Sequence, residues 1–347
     1  EMILYMVLYG KNNTEVKLSV DGLCIVFIII LGLISNGIKF VNIDIPGRSF
    51  FGFNGSSMFE GFKYRTEISE KYNRDNISGG FNVKQLKVIN DFGDIKVLPA
   101  DGKNIRLEAE VKVKCNDEDK AREYARNAID ITEGEVTEIF PGSPINWNKN
   151  EYARAQVDFV VYVPNGINLI ANGSFGDVKA EGIEGECRIQ NKNGEITASN
   201  IDGNVDIDNS FGDIEVNNIG GKAKIYNNNG EISANNIGDS AVIVNHFGDI
   251  NIDRVKGDIT VENKNGRIEA EEVIGNAQIK NAFGDIYFKS SSSDNGDIYA
   301  ETKFGSIECD KPLQIKKEGQ DTVAQGRLGT GQYRIELITK NGRISID

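Results

Sequence analysis

Residues 212–229 read GDIEVNNIGGKAKIYNNN and residues 230–247 read GEISANNIGDSAVIVNHF; laid one over the other, they decide the fold. Gly opens both lines, and it recurs at 176, 194, 212, 230, 248, 266 and 284, a constant 18-residue interval. Such self-similarity marks a solenoid or array. Counted from each Gly, the third column holds Val178, Ile196, Ile214, Ile232, Ile250, Ile268 and Ile286. The fourteenth holds Ile189, Ile207, Ile225, Ile243, Val261 and Ile279. Columns 3 and 5, then 12 and 14, alternate apolar with polar residues, which is the period of a half-buried strand. Each repeat therefore offers two short strands and two turns, and we expect one 18-residue coil per repeat.

The turns carry their own pattern. Gly185, Gly203, Gly221, Gly257 and Gly275 share column 10, where a corner with positive φ is expected. Column 16 is Asn in Asn191, Asn209, Asn227, Asn245, Asn263 and Asn281. Asn tolerates a left-handed backbone, and stacked in register it can form an amide ladder. The residue before each Gly alternates: Phe175, Asn193, Phe211, Asn229, Phe247, Asn265, Phe283. This adds a 36-residue superperiod, and a 36-residue coil is the competing reading. Read as a filled corner, two Phe on adjacent coils would overpack. Asp177, Glu195, Asp213, Glu231, Asp249 and Asp285 follow the Gly. At a rung spacing of about 4.8 Å like charges repel, so these acids must point into water, accept backbone N–H groups or hold cations. One carboxylate per turn is thin for calcium, which takes six to eight oxygens. We read them as solvated turn acids.

The flanks differ. Leu23 to Ile34 reads LCIVFIIILGLI, inside an uncharged window between Asp21 and Lys39. A spanning helix needs about 20 residues with a lower limit near 17. We expect a membrane-anchor helix over about 22–38 within an N-terminal segment 1–40; a signal-peptide core and a buried core helix are the alternatives. Residues 41–80 read as a linker or stalk. Residues 81–166 read as a β-rich cap, with the alternating strand Ile105 to Val113 and one helix over about 117–130. The spacing of Ala121, Tyr124, Ala125, Ala128 and Ile129 gives that helix one apolar face, and Asn116 is its expected cap. The repeat solenoid fills 167–347. The fold class is all-β, a parallel β-solenoid with a small cap, preceded by the anchor.

The chain has 39 basic and 52 acidic residues, net charge -13, one His and one Trp. Such an acidic surface argues against nucleic acid as a partner. A single histidine, His246, excludes a His-based metal site and points to no triad. Cys24, Cys115, Cys187 and Cys309 lie far apart with no CxxC pattern, and read as core thiols rather than ligands. No catalytic, cofactor-binding or metal residue is assigned. Parallel β-helices do carry polysaccharide-cleaving sites, but those break the repeat with long loops, and these coils keep their length.

The apolar N-terminal segment, the IRLEAEVKV strand, VDFVVYVPNG at 157–166 and the tandem FGDI and NGEI turns together resemble the bacterial putative-adhesin domain family of unknown function. The resemblance covers roughly residues 81–347. It implies a β-solenoid on a membrane-anchored, envelope-associated protein, with the repeats outside the cell. It supplies no catalytic residues. The function it implies is a non-enzymatic, adhesin-like module binding a protein or glycan at the cell surface. An envelope scaffold or stress-regulatory accessory is the alternative.

Overall fold

The computed structural model describes residues 66–77, 82–142 and 153–347, together with N-terminal strand segments 3–8, 14–19, 40–45, 48–49 and 53–54. The stretch 22–38 expected to anchor the chain lies outside the described residues. Among those described, no helix is long and apolar enough to cross a membrane.

Each repeat forms two strands, as in Ile214–Ile219 and Ala223–Asn229. Successive repeats stack in parallel, with Ile214 beside Ile232, Ile232 beside Ile250, and Ile225 beside Ile243. Throughout the central coils each strand pairs with its counterpart in the very next repeat. One 18-residue repeat is therefore one coil, and the 36-residue alternative is excluded. The first strands of the coils form a 13-stranded sheet and the second strands a 14-stranded sheet, counted over the described residues. Between them lies a thin core. Ile232, Ala234, Ile237 and Ile243 have no exposed surface, and Ala241 has 1%. Each buried Ile contributes roughly 1.5–3 kcal/mol. A thin core of this kind explains the modest apolar content: one Ile–Ala pair per strand, repeated, replaces a bulky centre.

An early copy of the turn motif, Asp91-Phe92-Gly93-Asp94-Ile95, stands 83 residues before its counterpart at Ser174–Val178 and forms the first rung. Gln85–Phe92 pairs in parallel with Asn168–Phe175, and Ile95–Pro99 with Val178–Ile183. Between these two passes the chain builds the cap. Arg106–Cys115 runs antiparallel to both Ala153–Val163 and Thr66–Arg74. The end of the stretch read as linker therefore belongs to the cap sheet. There Ile68 is buried, and Tyr72 packs on the core from the same strand face. The cap helix, α1 (Glu118–Arg126), is shorter than the expected 117–130. Its N-cap is Asp117 and not the expected Asn116, because the Asp117 carboxylate accepts from Lys120 N at 3.1 Å. It stops before Ile129 because Ile129–Thr132 finds an antiparallel partner in Val136–Pro141. Ala121, Tyr124 and Ala125 are its buried face.

At the other end, chain order and spatial order part. Ala277–Phe283 pairs not with the next strand in sequence but with Tyr333–Asn341. Gly296–Phe304 lies beyond, on the far side of that strand. The second sheet repeats the exchange: Ile286–Lys289, then Ile344–Ile346, then Ile307–Cys309. The chain skips one rung and returns to fill it. The hairpin Gln314–Glu318 and Asp321–Arg327 closes the long sheet with antiparallel strands. Its outermost strand carries Lys316 and Lys317, charges that discourage further pairing at an open edge. Before it, Ser290 to Ser293 with Asp294 interrupt the repeat as a polar insertion in which three serines pack inward. Ser290, Ser292 and Ser293 are buried, and Ser290 and Ser292 donate their hydroxyls to the Val273 carbonyl.

Candidate binding face

One corner of the stack concentrates the chain's unusual residues. Its column-1 glycines have φ between 125° and 138° from Gly176 to Gly284. A Cβ on Gly230 would sit 2.2 Å from the Gly212 carbonyl oxygen, and the neighbouring corners are as tight. Only Gly fits, for conformation and for space. Column 10 is different. Gly185, Gly203, Gly221, Gly257 and Gly275 are absent from the positive-φ set. They are required by close approach instead: a Cβ on Gly203 would lie 2.4 Å from the Gly185 oxygen. The left-handed residues of the second corner are in column 7: Asn200, Asn218, Asn236, Arg254 and Glu272, with φ of 51–57°. The amide ladder is there too. Asn218 donates to Asn200 at 3.0 Å, and Asn236 to Asn218 at 2.7 Å.

The column-16 asparagines form no such ladder. They lie inside the stack, and each reaches back from the end of its repeat to the carbonyl of the glycine that opens it, one rung below the next corner. Asn191 donates to Gly176 O at 2.9 Å, Asn227 to Gly212 O at 2.9 Å and Asn281 to Gly266 O at 2.7 Å. Thr339 and Thr302 make the equivalent bond with a hydroxyl, to Gly284 O and Gly342 O. The Asn therefore ties one corner to the next.

The turn acids resolve into two kinds. Asp177 accepts from Glu195 N, Asp213 from Glu231 N and Asp249 from Arg267 N, at 2.7–2.8 Å. These Asp carboxylates are spent on backbone donors of the next rung. Glu195 and Glu231 between them are exposed. Glu231 takes a side-chain amide instead, from Asn251 at 2.6 Å. Among the described residues no group of three His, Cys, Asp or Glu gathers at metal-holding distance.

Outside this corner lies the phenylalanine row. Along the long sheet the rungs place Phe92, Phe175, Asn193, Phe211, Asn229, Phe247, Asn265, Phe283, Asn341 and Phe304 side by side, in that order. The six Phe are 49–58% exposed. They are not the filled corner expected from the sequence but a ridge standing on the surface. Phe92 and Phe175 occupy adjacent rungs and simply stack, with ring centroids 5.3 Å apart and planes within 5°. Adjacent Phe therefore do not overpack. Beyond that pair the ridge alternates Phe and Asn strictly, and it does so across the rung that the chain fills out of order. At about 4.8 Å per rung the ridge runs roughly 43 Å, with alternate Phe about 9.6 Å apart. Its Phe signal was visible in the sequence; its exposure and its continuation through Asn341 and Phe304 were not.

The remaining candidates are structural. His246 is half-buried, and its backbone N–H donates to Asn245 Oδ1 at 2.9 Å. Cys115 and Cys187 are buried and Cys309 is partly so, all three free thiols, while Cys24 lies outside the described residues. Burial pushes the Cys187 thiol up to about 12, far from a reactive thiolate. An open surface concavity near the C-terminal end of the stack is lined by Asp297, Tyr299, Arg327 and Arg334, and another lies on the long sheet beside Thr260 and Gln278.

A family model described as Toastrack DUF4097 matches residues 83–347. No curated protein matches. Among solved structures, a putative lipid binding protein from Parabacteroides distasonis is 12% identical with a TM-score of 0.44, over 82% of this chain and 97% of that one. A putative adhesin from Bacteroides fragilis is 15% identical with a TM-score of 0.35, over 82% of this chain and 98% of that one. A putative cell adhesion protein from Clostridium sporogenes is 12% identical with a TM-score of 0.23, over 80% and 99%. Likenesses this distant add nothing to the family match.

Proposed function

The chain belongs to the Toastrack DUF4097 family, and from that premise we propose that it is an adhesin-like binding module of the cell surface, held at the membrane through residues 22–38 and without enzymatic activity. The observation that carries this reading is the ridge of six half-exposed phenylalanines on a repetitive face. Apolar side chains gathered on one exposed face mark an interaction surface more often than a catalytic one. Catalysis needs unlike groups converging on a reacting atom; this corner repeats the same groups rung after rung. Its carboxylates bond backbone or surface amides, or face water singly. The acidic surface turns the module away from nucleic acid, and we read its partner as a protein or glycan.

The test is adherence. Bacteria displaying the full chain should bind to one another or to immobilised glycans or proteins. Joint substitution of Phe211, Phe247 and Phe283 by Ser should abolish that binding while the melting temperature of the chain stays within a few degrees. Adherence unchanged by the three substitutions would defeat the reading. Carbonate-washed membranes that release the chain with its N-terminus intact would remove the anchor from it.

A further inference from the structure

The ridge is a comb whose gaps match its own teeth. Between Phe175 and Phe211 stands Asn193, and the same gap recurs at Asn229, Asn265 and Asn341. Each gap separates two rings by two rungs, about 9.6 Å, so one further ring placed midway would lie about 4.8 Å from each. Aromatic pairs favour centroid separations of about 4.5–7 Å. The molecule already displays that arrangement in Phe92 and Phe175, stacked at 5.3 Å. That pair also shows that packing does not impose the alternation, because Phe beside Phe is accommodated. Nor does tandem duplication explain it, because Asn341 enters between Phe283 and Phe304 against chain order.

We propose that the occupant of the four Asn gaps is the phenylalanine comb of a second copy of this chain, so that the ridge is a homotypic zipper. The proposal rests on the adhesin-like reading and names its partner. One register fills every gap. In an antiparallel, two-fold pair, Phe211 enters the gap at Asn341 of the second copy, Phe247 that at Asn265, Phe283 that at Asn229 and Phe304 that at Asn193. The same operation returns the favour, so the contact is isologous and closes as a dimer. Phe92 and Phe175, the one stretch without a gap, fall outside the overlap. Half-exposed Phe rings leave about 100 Å² each for burial. Eight rings and the walls they enter give a contact near the ~1,000 Å² lower bound of specific interfaces, hence a weak, concentration-dependent dimer. With net charge -13 on each copy the pair repels at long range, and added salt tightens it.

Sedimentation of the purified full chain in detergent tests this. We expect a monomer–dimer equilibrium that shifts toward dimer as salt rises. The Phe211, Phe247 and Phe283 triple Ser variant should dissociate about tenfold or more readily. The decisive variant is Asn229→Phe. It enlarges the exposed apolar surface but fills a gap, so the zipper loses affinity, whereas non-specific stickiness gains it. Monomer at every concentration, or tighter association of Asn229→Phe, overturns the proposal. If the chain stays monomeric yet the triple Ser variant loses adherence to a glycan or another protein, the zipper falls and the adhesin-like reading stands. If adherence too is unaffected, both fall.

Discussion

In residues 176–283 the order of coils in the chain is the order of coils in space; in residues 284–347 it is not. The central coils lay each strand beside its counterpart one repeat back. The C-terminal part lays Gly296–Phe304 one rung too far out and later slides Tyr333–Asn341 into the space. Yet the corner is the same in both parts. Asn281 bonds Gly266 O, Thr339 bonds Gly284 O and Thr302 bonds Gly342 O. Asp285 accepts from Arg343 N at 2.7 Å, as Asp249 does from Arg267 N. The rules of the stack therefore belong to neighbours in space. Each rung needs a particular rung beside it, whatever route the chain takes to supply it.

The largest effect should come from testing that difference directly. Deleting Tyr333–Asp347 removes a rung from inside the stack and leaves Ala277–Phe283 and Gly296–Phe304 about 9.6 Å apart with unpaired backbone. Loss of cooperative melting is expected. Deleting Gly212–Asn229, a longer stretch but one whole coil, should leave a shorter folded stack. It would bring Phe211 beside Phe247, and the stacked Phe92 and Phe175 show that this costs little. Circular dichroism melts of the two deletions decide the point; equal outcomes would erase the distinction between the regions.

Next in size is the core. Ile232→Asp places an unpaired charge where no surface is exposed, and we expect several kcal/mol of destabilisation. His246→Ala, in a column that also accepts Lys, Ser and Asn, should be nearly silent. Denaturant midpoints of the two variants would expose any error in the assignment of columns.

Smaller again is the corner glycine. Gly230→Ala combines a φ of 135° with a Cβ 2.2 Å from a carbonyl oxygen, and should cost about 1–3 kcal/mol. Gly319→Ala, at φ 66° with open space around it, should cost about 1 kcal/mol. Similar costs would mean that rung contact is not the constraint.

The smallest contrast is chemical. Cys187 is 1% exposed with its thiol pushed up to about 12, so it should resist thiol reagents in the native protein. Cys309, partly exposed on the outer rung, should react before Cys187 and Cys115. Mass spectrometry after brief alkylation reads the order.

What the sequence made legible follows the same division. Period-two columns in tandem copies fix strands, inward faces and coil length, because a buried Ile at Ile214 requires one at Ile232. The 36-residue alternation was legible too, but not its exposure, since a Phe in register reads as core until its corner is seen. Gly in a fixed column signals a constraint without saying which. Gly203 answers a close approach, and the left-handed corner went to Asn200 and Asn218, where ordinary strand periodicity gave no warning. The rung exchange was illegible because the FGS at 304–306 and the NGR at 341–343 look like decayed repeats. Only pairing reveals that the later one lies inside.

That inversion sets a schedule for biosynthesis. A ribosome makes Gly296–Phe304 well before Tyr333–Asn341, so the outer tooth exists while the one beneath it is still being polymerised. Every rung up to Ala277–Phe283 can settle as it emerges. The last stretch has to wait with its edge open until the returning strand arrives. A chain interrupted anywhere between the two carries an unfinished seam at one fixed place, the groove above Ala277–Phe283. A protease or chaperone could use that seam to tell a partial copy from a finished one.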